Sequence, residues 1–359
     1  MPPSCNKLED ARAILVRAIA NRTFPGAVAE VGNSSGSQWR EAVGVLGFDN
    51  PIAVAPHTIF DLASLTKPIS TTAIVMDLVA GGRVDLNEPL TGCFAEWRGG
   101  DREIATVRDL LEHASGLAAR LVDAPPASRR EFEHDICGLP LEYTPRTKSI
   151  YSDLGFILLG FVAADRGRAP LKELFERIVK RIAGAEASAV LRYGIPESAA
   201  DRTAPTEPLR EDVRRGRRLV GEVHDNYAAA LGGVAGHAGL FGTASGLGAF
   251  ARAMLRGARG DAALAPPFSP DLVTRATTRT SVPGSSRALG WDTMLPTSSC
   301  GTKLSPSAFG HVGFTGTSLW IDPPRDRYYV LLSNRVSGGG TEADMKEVRR
   351  AFHDAAVEL

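Results

Sequence analysis

The chain has 359 residues, 41 Lys+Arg against 41 Asp+Glu, and 43% hydrophobic content, enough for one large domain or two interleaved ones around a sizeable core. Zero formal net charge argues against a basic nucleic-acid stripe or a polyacidic tail, and no apolar run approaches the ~20 residues that cross a bilayer. The cysteines Cys5, Cys93, Cys137 and Cys300 are scattered, with no Cys-x-x-Cys pair and no His-x-x-x-His spacing elsewhere, so no metal, no cofactor and no disulfide framework is assigned.

In chain order, Leu8 to Asn21 reads as an amphipathic helix, with Ala11, Ile14, Leu15 and Ile19 near helical spacing. Arg12 and Arg17 interrupt its apolar stretch, so Met1 to Ala20 does not read as a secretory signal, and the expected location is cytoplasmic. Gly26 to Val31 and Gln38 to Val43 read as strands joined by a Gly32–Gly36 turn, a hairpin. From about Ser64 to Ala230 the pattern is mostly helical. Thr106-x-x-Asp109 resembles a capping box, with Gly116 ending that helix. Leu154, Ile157, Leu158, Phe161 and Val162 form a helical stripe, while the arginines of 210–218, interspersed with Glu211 and Asp212, read as a solvated surface. Strand chemistry returns at Gly310–Ile321 and Arg327–Asn334, and Glu342 to Val357 reads as a last helix. Strands at both ends with helices between predict an α+β fold: residues 1–63 plus 241–359 forming a sheet domain, 64–240 a mainly helical one, and an active site between them.

Two serine motifs compete. Gly32-Asn-Ser34-Ser-Gly36 matches the Gly-x-Ser-x-Gly elbow, but that motif needs a helix after it and here a strand follows, so Ser34 reads as a turn residue. Ser-x-x-Lys occurs at Ser4–Lys7, in a ragged terminus, and at Ser64-Leu-Thr-Lys67, which opens a helix. There, residues three apart share a face and the lysine amine can approach the serine hydroxyl. Tyr151-Ser-Asp153 stands at the mouth of the apolar helix, and His311-Val-Gly313 at the start of a strand.

The order Ser-x-x-Lys, Tyr-x-Asp, His-x-Gly resembles the serine β-lactamase and penicillin-binding-protein superfamily, nearest its class C β-lactamase, D,D-peptidase and family VIII esterase branch. Phe60-Asp-Leu-Ala-Ser64-Leu-Thr-Lys67, Thr106–Leu117, Tyr151-Ser-Asp-Leu-Gly-Phe, Gly233–Phe241 and Phe309–Ser318 all read like that branch. The resemblance implies a β-lactamase/transpeptidase-like fold, an antiparallel sheet flanked by N- and C-terminal helices with an inserted helical domain. It also implies roles: Ser64 the acylated nucleophile, Lys67 and Tyr151 its proton-transfer partners, and the N–H groups of Ser64 and Phe314 an oxyanion hole beside Gly313. Asp153 and His311 would line the pocket. An ordinary lysine, with a pKa of ~10.4, is too weakly dissociated to be a base at neutral pH, so burial and neighbours are expected to lower Lys67 to roughly 7–8.

Two departures bear on substrate. Val312 replaces the threonine of the usual Lys-Thr-Gly or His-Thr-Gly, and Asp153 stands where many relatives have Asn, whose amide can donate to a substrate carbonyl. Val312 offers no hydroxyl, and an ordinary histidine is only partly charged near pH 7, so a substrate carboxylate lacks an evident partner unless an arginine of 210–218 supplies it. The expectation is a hydrolase of small esters or amides acting through acyl-Ser64, with esters ahead of D-amino-acid peptides and β-lactams. An acyltransferase or an inactive ligand-binding homologue is the alternative. The expected partner is the small-molecule substrate, with no nucleic acid and no membrane.

Overall fold

Strands β1 (Gly26–Asn33) and β2 (Gly36–Gly47) form the expected hairpin, and β3 (Asn50–Ala53) extends it. In this computed structural model, residues 5–121, 124–182 and 185–359 are described, without the side chains of 5–8; Ser4 of the duplicate Ser-x-x-Lys lies outside them. The two-residue turn is held by Asn33, whose Oδ1 accepts Ser35 N at 2.9 Å and Gly36 N at 3.1 Å. Ser34 sits in that turn with its hydroxyl bonded to Asp326, as a turn residue should.

The remaining strands are β4 (Phe60–Asp61), β5 (Leu191–Tyr193), β6 (Leu240–Gly242), β7 (Asp292–Thr293), β8 (Phe309–Gly313), β9 (Thr317–Asp322) and β10 (Arg327–Ser333). They make a seven-stranded antiparallel sheet of order β3-β2-β1-β10-β9-β8-β7 and a small sheet of order β4-β6-β5. Among the described residues, ten α-helices complete the fold: α1 (Cys5–Ala20), α2 (Ala73–Ala80), α3 (Val107–Leu111), α4 (Arg129–Gly138), α5 (Asp153–Gly167), α6 (Leu171–Val179), α7 (Asn226–Ala230), α8 (Ala244–Ala258), α9 (Pro270–Thr277) and α10 (Glu342–Ala356).

Strand alternation sorts the large sheet's side chains between two cores. Ala27, Ala29 and Val31 of β1 and Tyr329 and Leu331 of β10 pack with α1 and α10, through Leu15, Met345 and Phe352. Val28, Tyr328, Val330 and Leu332 face the other way, onto α8 and the larger core that runs through α2 and α5. Both faces are covered, which is why β1 and β10 read as nearly unbroken apolar runs.

The capping box is present, with Asp109 accepting Thr106 N at 2.8 Å, but α3 ends at Leu111 rather than at Gly116. His113 turns to φ +55 and Gly116 to φ +90, so the chain leaves the helix early and runs as a loop past the site. Helix α5 is also more than a stripe: Leu154 through Ala163 are all buried, which makes it the central helix of the larger core. The 210–218 stretch is only partly solvated, since Asp212 within it is buried, as are Thr203, Thr206 and His224 on either side.

Candidate active site

The segment from β4 to α2 builds the nucleophile turn. It opens not as a regular α-helix but as a 3₁₀ turn (Ala63–Leu65) followed by a π-helical stretch (Lys67–Thr72), and only then becomes α2. Ala63 sits at φ +47, an uncommon conformation for a residue with a Cβ. It is held there by Asp61, whose carboxylate accepts Ala63 N at 2.8 Å and His224 N at 2.6 Å. Burial pushes that carboxyl up to about 6 against both hydrogen bonds. Ser64 follows, half-buried, with Lys67 Nζ 3.0 Å from its Oγ.

Lys67 is fully buried, and its ammonium has three acceptors for its three N–H bonds: Ser64 Oγ, Asp153 Oδ1 at 2.7 Å and His237 O at 3.2 Å. Burial pulls its pKa down, but the Asp153 carboxylate and Tyr151 outweigh this, and Lys67 stands above the ordinary lysine value. The expected lowering is therefore reversed, because the sequence gives Lys67 a buried carboxylate partner. Burial raises Tyr151 above an ordinary phenol, against the pull of Lys67. Asp153, despite burial, is held below the usual carboxylate range by Lys67, with His237 and Arg120 assisting. The resting site thus contains an ammonium, a carboxylate and a neutral phenol.

Tyr151 and Asp153 are placed by the loop that follows α3. Ile150 N donates to His113 O at 3.0 Å, Ser152 Oγ to Ala118 O at 2.6 Å, and Asp153 N to Ala119 O at 2.9 Å. Asp153's second oxygen takes Arg120 at 2.7 Å, Arg120 reaches Asp225 at 3.0 Å, and Asp225 Oδ1 lies 2.7 Å from His237 Nε2. The ion pair is therefore one end of a chain, Lys67–Asp153–Arg120–Asp225–His237.

On the facing side, β8 ends against the nucleophile turn. A Cβ on Gly313 would lie 2.4 Å from Leu62 O, and the approach is stitched by Thr315 Oγ1 to Asp61 O at 2.7 Å and Thr317 Oγ1 to Leu62 O at 3.1 Å. His311 donates Nδ1–H to Val312 O at 2.8 Å, which leaves Nε2 as the unprotonated nitrogen. Burial, reinforced by Arg287 and Lys67, holds His311 well below 6.5, so it is neutral at pH 7 rather than partly charged. His113 is likewise neutral, from burial and the same two cations, with Nδ1 accepting Ser152 N at 3.0 Å. The Tyr151 ring lies 4.7 Å from the His113 ring and 5.9 Å from that of His311.

Comparison with known proteins gives this geometry a family. The sequence profile of the Beta-lactamase family matches residues 11–353. The chain belongs to the Beta-lactamase family. A protein of Salmonella gallinarum (strain 287/91 / NCTC 13346), named "Putative D-alanyl-D-alanine carboxypeptidase", is 30% identical over 319 residues, 80% of this chain and 71% of that one. Among solved structures, "EstCE1, a hydrolase with promiscuous acyltransferase activity" superposes with TM-score 0.76 at 17% identity, covering 98% of this chain and 99% of that one. A β-lactamase from Sulfitobacter sp. EE-36 gives 0.74 at 18%, covering 98% and 96%. The fold is therefore that of β-lactamases and penicillin-binding-protein homologues, and the protein is a serine hydrolase of this family.

In this β-lactamase-family chain Ser64, Tyr151, Asp153, His311, Gly313 and Phe314 all line one cleft of about 670 Å³, with Lys67 buried beneath it. Phe314, 41% exposed, stands at its edge, stacked 5.5 Å from His224. None of the five arginines of 210–218 lines the cleft, and three are paired: Arg214 with Asp212, Arg217 with Glu222 and Arg218 with Asp49. That stretch contributes Leu209 and Glu211 to the lining instead. Two cations lie near the Tyr151 ring: Lys67 Nζ at 4.7 Å, paired with Asp153, and Arg287 at 5.2 Å, without an ion pair among the described residues; Arg335, Lys346 and Arg349 line the cleft further off. Sequence reading missed Arg287, Arg120 and Asp225. One signal was available for Arg120: an Asp at 153 in place of an amide, beside a lysine, invites a second cation.

Proposed function

We propose that the protein hydrolyses small amides or esters that carry a carboxylate, through an acyl-Ser64 intermediate, with D-amino-acid peptides as the leading substrate class. The acyl-transfer part rests on Ser64 Oγ lying 3.0 Å from a Lys67 that is itself 2.7 Å from Asp153. As Ser64 attacks the carbonyl carbon, its proton passes to Lys67 while Lys67 returns one to Asp153, so no free amine need exist beforehand. Tyr151, neutral at rest, protonates the leaving amine or alcohol. In deacylation the Tyr151 phenolate takes a proton from the attacking water, and Asp153 returns its proton through Lys67 to the departing Ser64 Oγ, which restores the resting site. The N–H groups of Ser64 and Phe314 are the oxyanion donors, a class of contact that contributes ~10²–10³ in rate.

The substrate part rests on Arg287. The ranking that favoured neutral esters assumed a pocket without a cation for a carboxylate; an unpaired guanidinium beside Tyr151 removes that premise. The relatives named "Putative D-alanyl-D-alanine carboxypeptidase" support the same reading. A second reading, a neutral-ester hydrolase, is favoured by the neutral His311 and by Val312, which has no hydroxyl. Arg287→Gln separates them. Charge-assisted hydrogen bonds of ~1.5–3 kcal/mol predict a roughly 10- to 150-fold fall in kcat/KM for a D-Ala-D-Ala peptide and less than about threefold for p-nitrophenyl acetate. Equal losses on both substrates, or a wild type that turns over only the neutral ester, reverse the ranking.

A further inference from the structure

Arg349 projects from α10 to the end of β8, is 8% exposed, and has no carboxylate in ion-pair contact among the described residues. One of its terminal nitrogens donates to Gly313 O at 2.6 Å and to Thr317 O at 3.0 Å, while its Nε is buried without a partner. Arg335, 7% exposed, donates to Phe314 O at 3.1 and 2.6 Å and to Gly340 O at 2.9 Å. Burial, and then the charge of Arg335, pulls Arg349 down to about 9, still ionised at neutral pH. Two neighbouring buried cations with no ion pair among the described residues, offset only through space by Glu342, are costly. Their hydrogen bonds converge on the carbonyls around a single turn, Gly313–Thr317.

Gly313 O and Phe314 N belong to the same peptide unit. A peptide is one conjugated dipole, so a cation bonded to its oxygen draws electron density from its nitrogen and makes the N–H a stronger donor. We propose that Arg349 is a positioning residue that acts through the Gly313–Phe314 peptide, polarising it so that its N–H binds the developing oxyanion more tightly. This rests on the reading above of Phe314 N–H as an oxyanion donor. Arg335 bonds Phe314 O, the carbonyl of the next peptide, and so holds the turn on the other side of Phe314. A purely structural clamp would alter stability and KM; a polarising cation alters how strongly the acyl carbonyl is held.

The test is isotope-edited infrared spectroscopy of acyl-Ser64 formed from a slowly hydrolysed ester carrying a ¹³C-labelled carbonyl. Arg349→Met removes charge and donor, Arg349→Gln keeps a neutral donor, and Arg349→Lys keeps the charge. The carbonyl stretch is expected at higher frequency in the Met and Gln variants and nearer wild type in Lys. A roughly three- to tenfold fall in kcat/KM should follow the stretch rather than Tm. If the Met variant does not fold, the Lys–Gln pair supplies the same comparison. Acyl-Ser64 whose stretch is unmoved by loss of the charge overturns this proposal alone. A wild type that forms no acyl-Ser64 overturns the nucleophile assignment and this proposal with it.

Discussion

Replacing Asp153 with Asn probes the proton relay directly. The substitution keeps the side chain's shape but removes the negative charge 2.7 Å from Lys67 Nζ. Two unit charges ~4 Å apart at an effective dielectric of ~20 interact by about 4 kcal/mol, so losing the carboxylate removes the main force that raises Lys67 and its pKa should fall. In wild type the lysine stands above its ordinary value, held there by the carboxylate against burial. In the variant only Tyr151 still opposes burial, and Lys67 should titrate lower than in wild type. The assay is kcat/KM for a neutral ester from pH 5 to 11. The variant's rising limb should lie below any wild-type limb assigned to lysine, with the wild type active at neutral pH only through transfer of the proton to Asp153. Stability moves as well. Lys67's raised value contributes stability below the unfolded lysine's ~10.4 that is lost as pH rises through the folded value. Asp153's lowered value contributes stability above ~3.9 that is lost as pH falls through its folded value. Breaking a buried pair costs about 3–5 kcal/mol, a drop in Tm of roughly 4–7 °C at pH 7 for a chain of this length. Superimposable pH profiles would refute the claim that Asp153 sets the protonation of Lys67.

Tyr151→Phe should fold with unchanged Tm yet lose ~10²–10⁴ in kcat, since a positioned acid–base group contributes that much; a kcat within about threefold of wild type removes Tyr151 from the mechanism. Asp61, raised to about 6, should give the activity an acid limb near that pH, because protonation frees Ala63 N or His224 N and loosens the nucleophile turn. Asp61→Asn should abolish the limb. The sign for stability is opposite: the folded state holds the proton more tightly, so stability falls by about 3 kcal/mol as pH rises from ~4 to ~6, measurable as Tm against pH. Gly313→Ala should cost at least roughly tenfold in kcat, because its Cβ would meet Thr317 Oγ1 at 2.1 Å and Leu62 O at 2.4 Å and push β8 away from Ser64.

Much of the fold was legible because it is written in local patterns. The β1–β2 hairpin, the Thr106–Asp109 box and the last helix follow from alternation, capping chemistry and apolar spacing. The early end of α3 was not legible, since the turn at His113 is imposed by tertiary contacts of the loop that carries Tyr151 and not by a breaker residue. The same limit applies to the site. Ser64 and Lys67 are three apart and could be paired from spacing alone, whereas Lys67 and Asp153 are 86 residues apart and Arg120 and Asp225 are 105 apart. Protonation states depend on those long-range pairs. That is why the direction for Lys67 was misjudged and why His311, read as partly charged, is neutral once buried among Arg287 and Lys67. Arg287 lay in a stretch with no motif and is recognisable only by the ring it covers.

Peptide mapping after reaction with a fluorophosphonate probe decides which serine is the nucleophile. The geometry predicts one adduct per chain, on Ser64, absent from Ser64→Ala and slowed in Tyr151→Phe. A label on Ser34, in the β1–β2 turn with its hydroxyl bonded to Asp326, or an unlabelled native protein, would contradict the acyl-Ser64 mechanism at its first step.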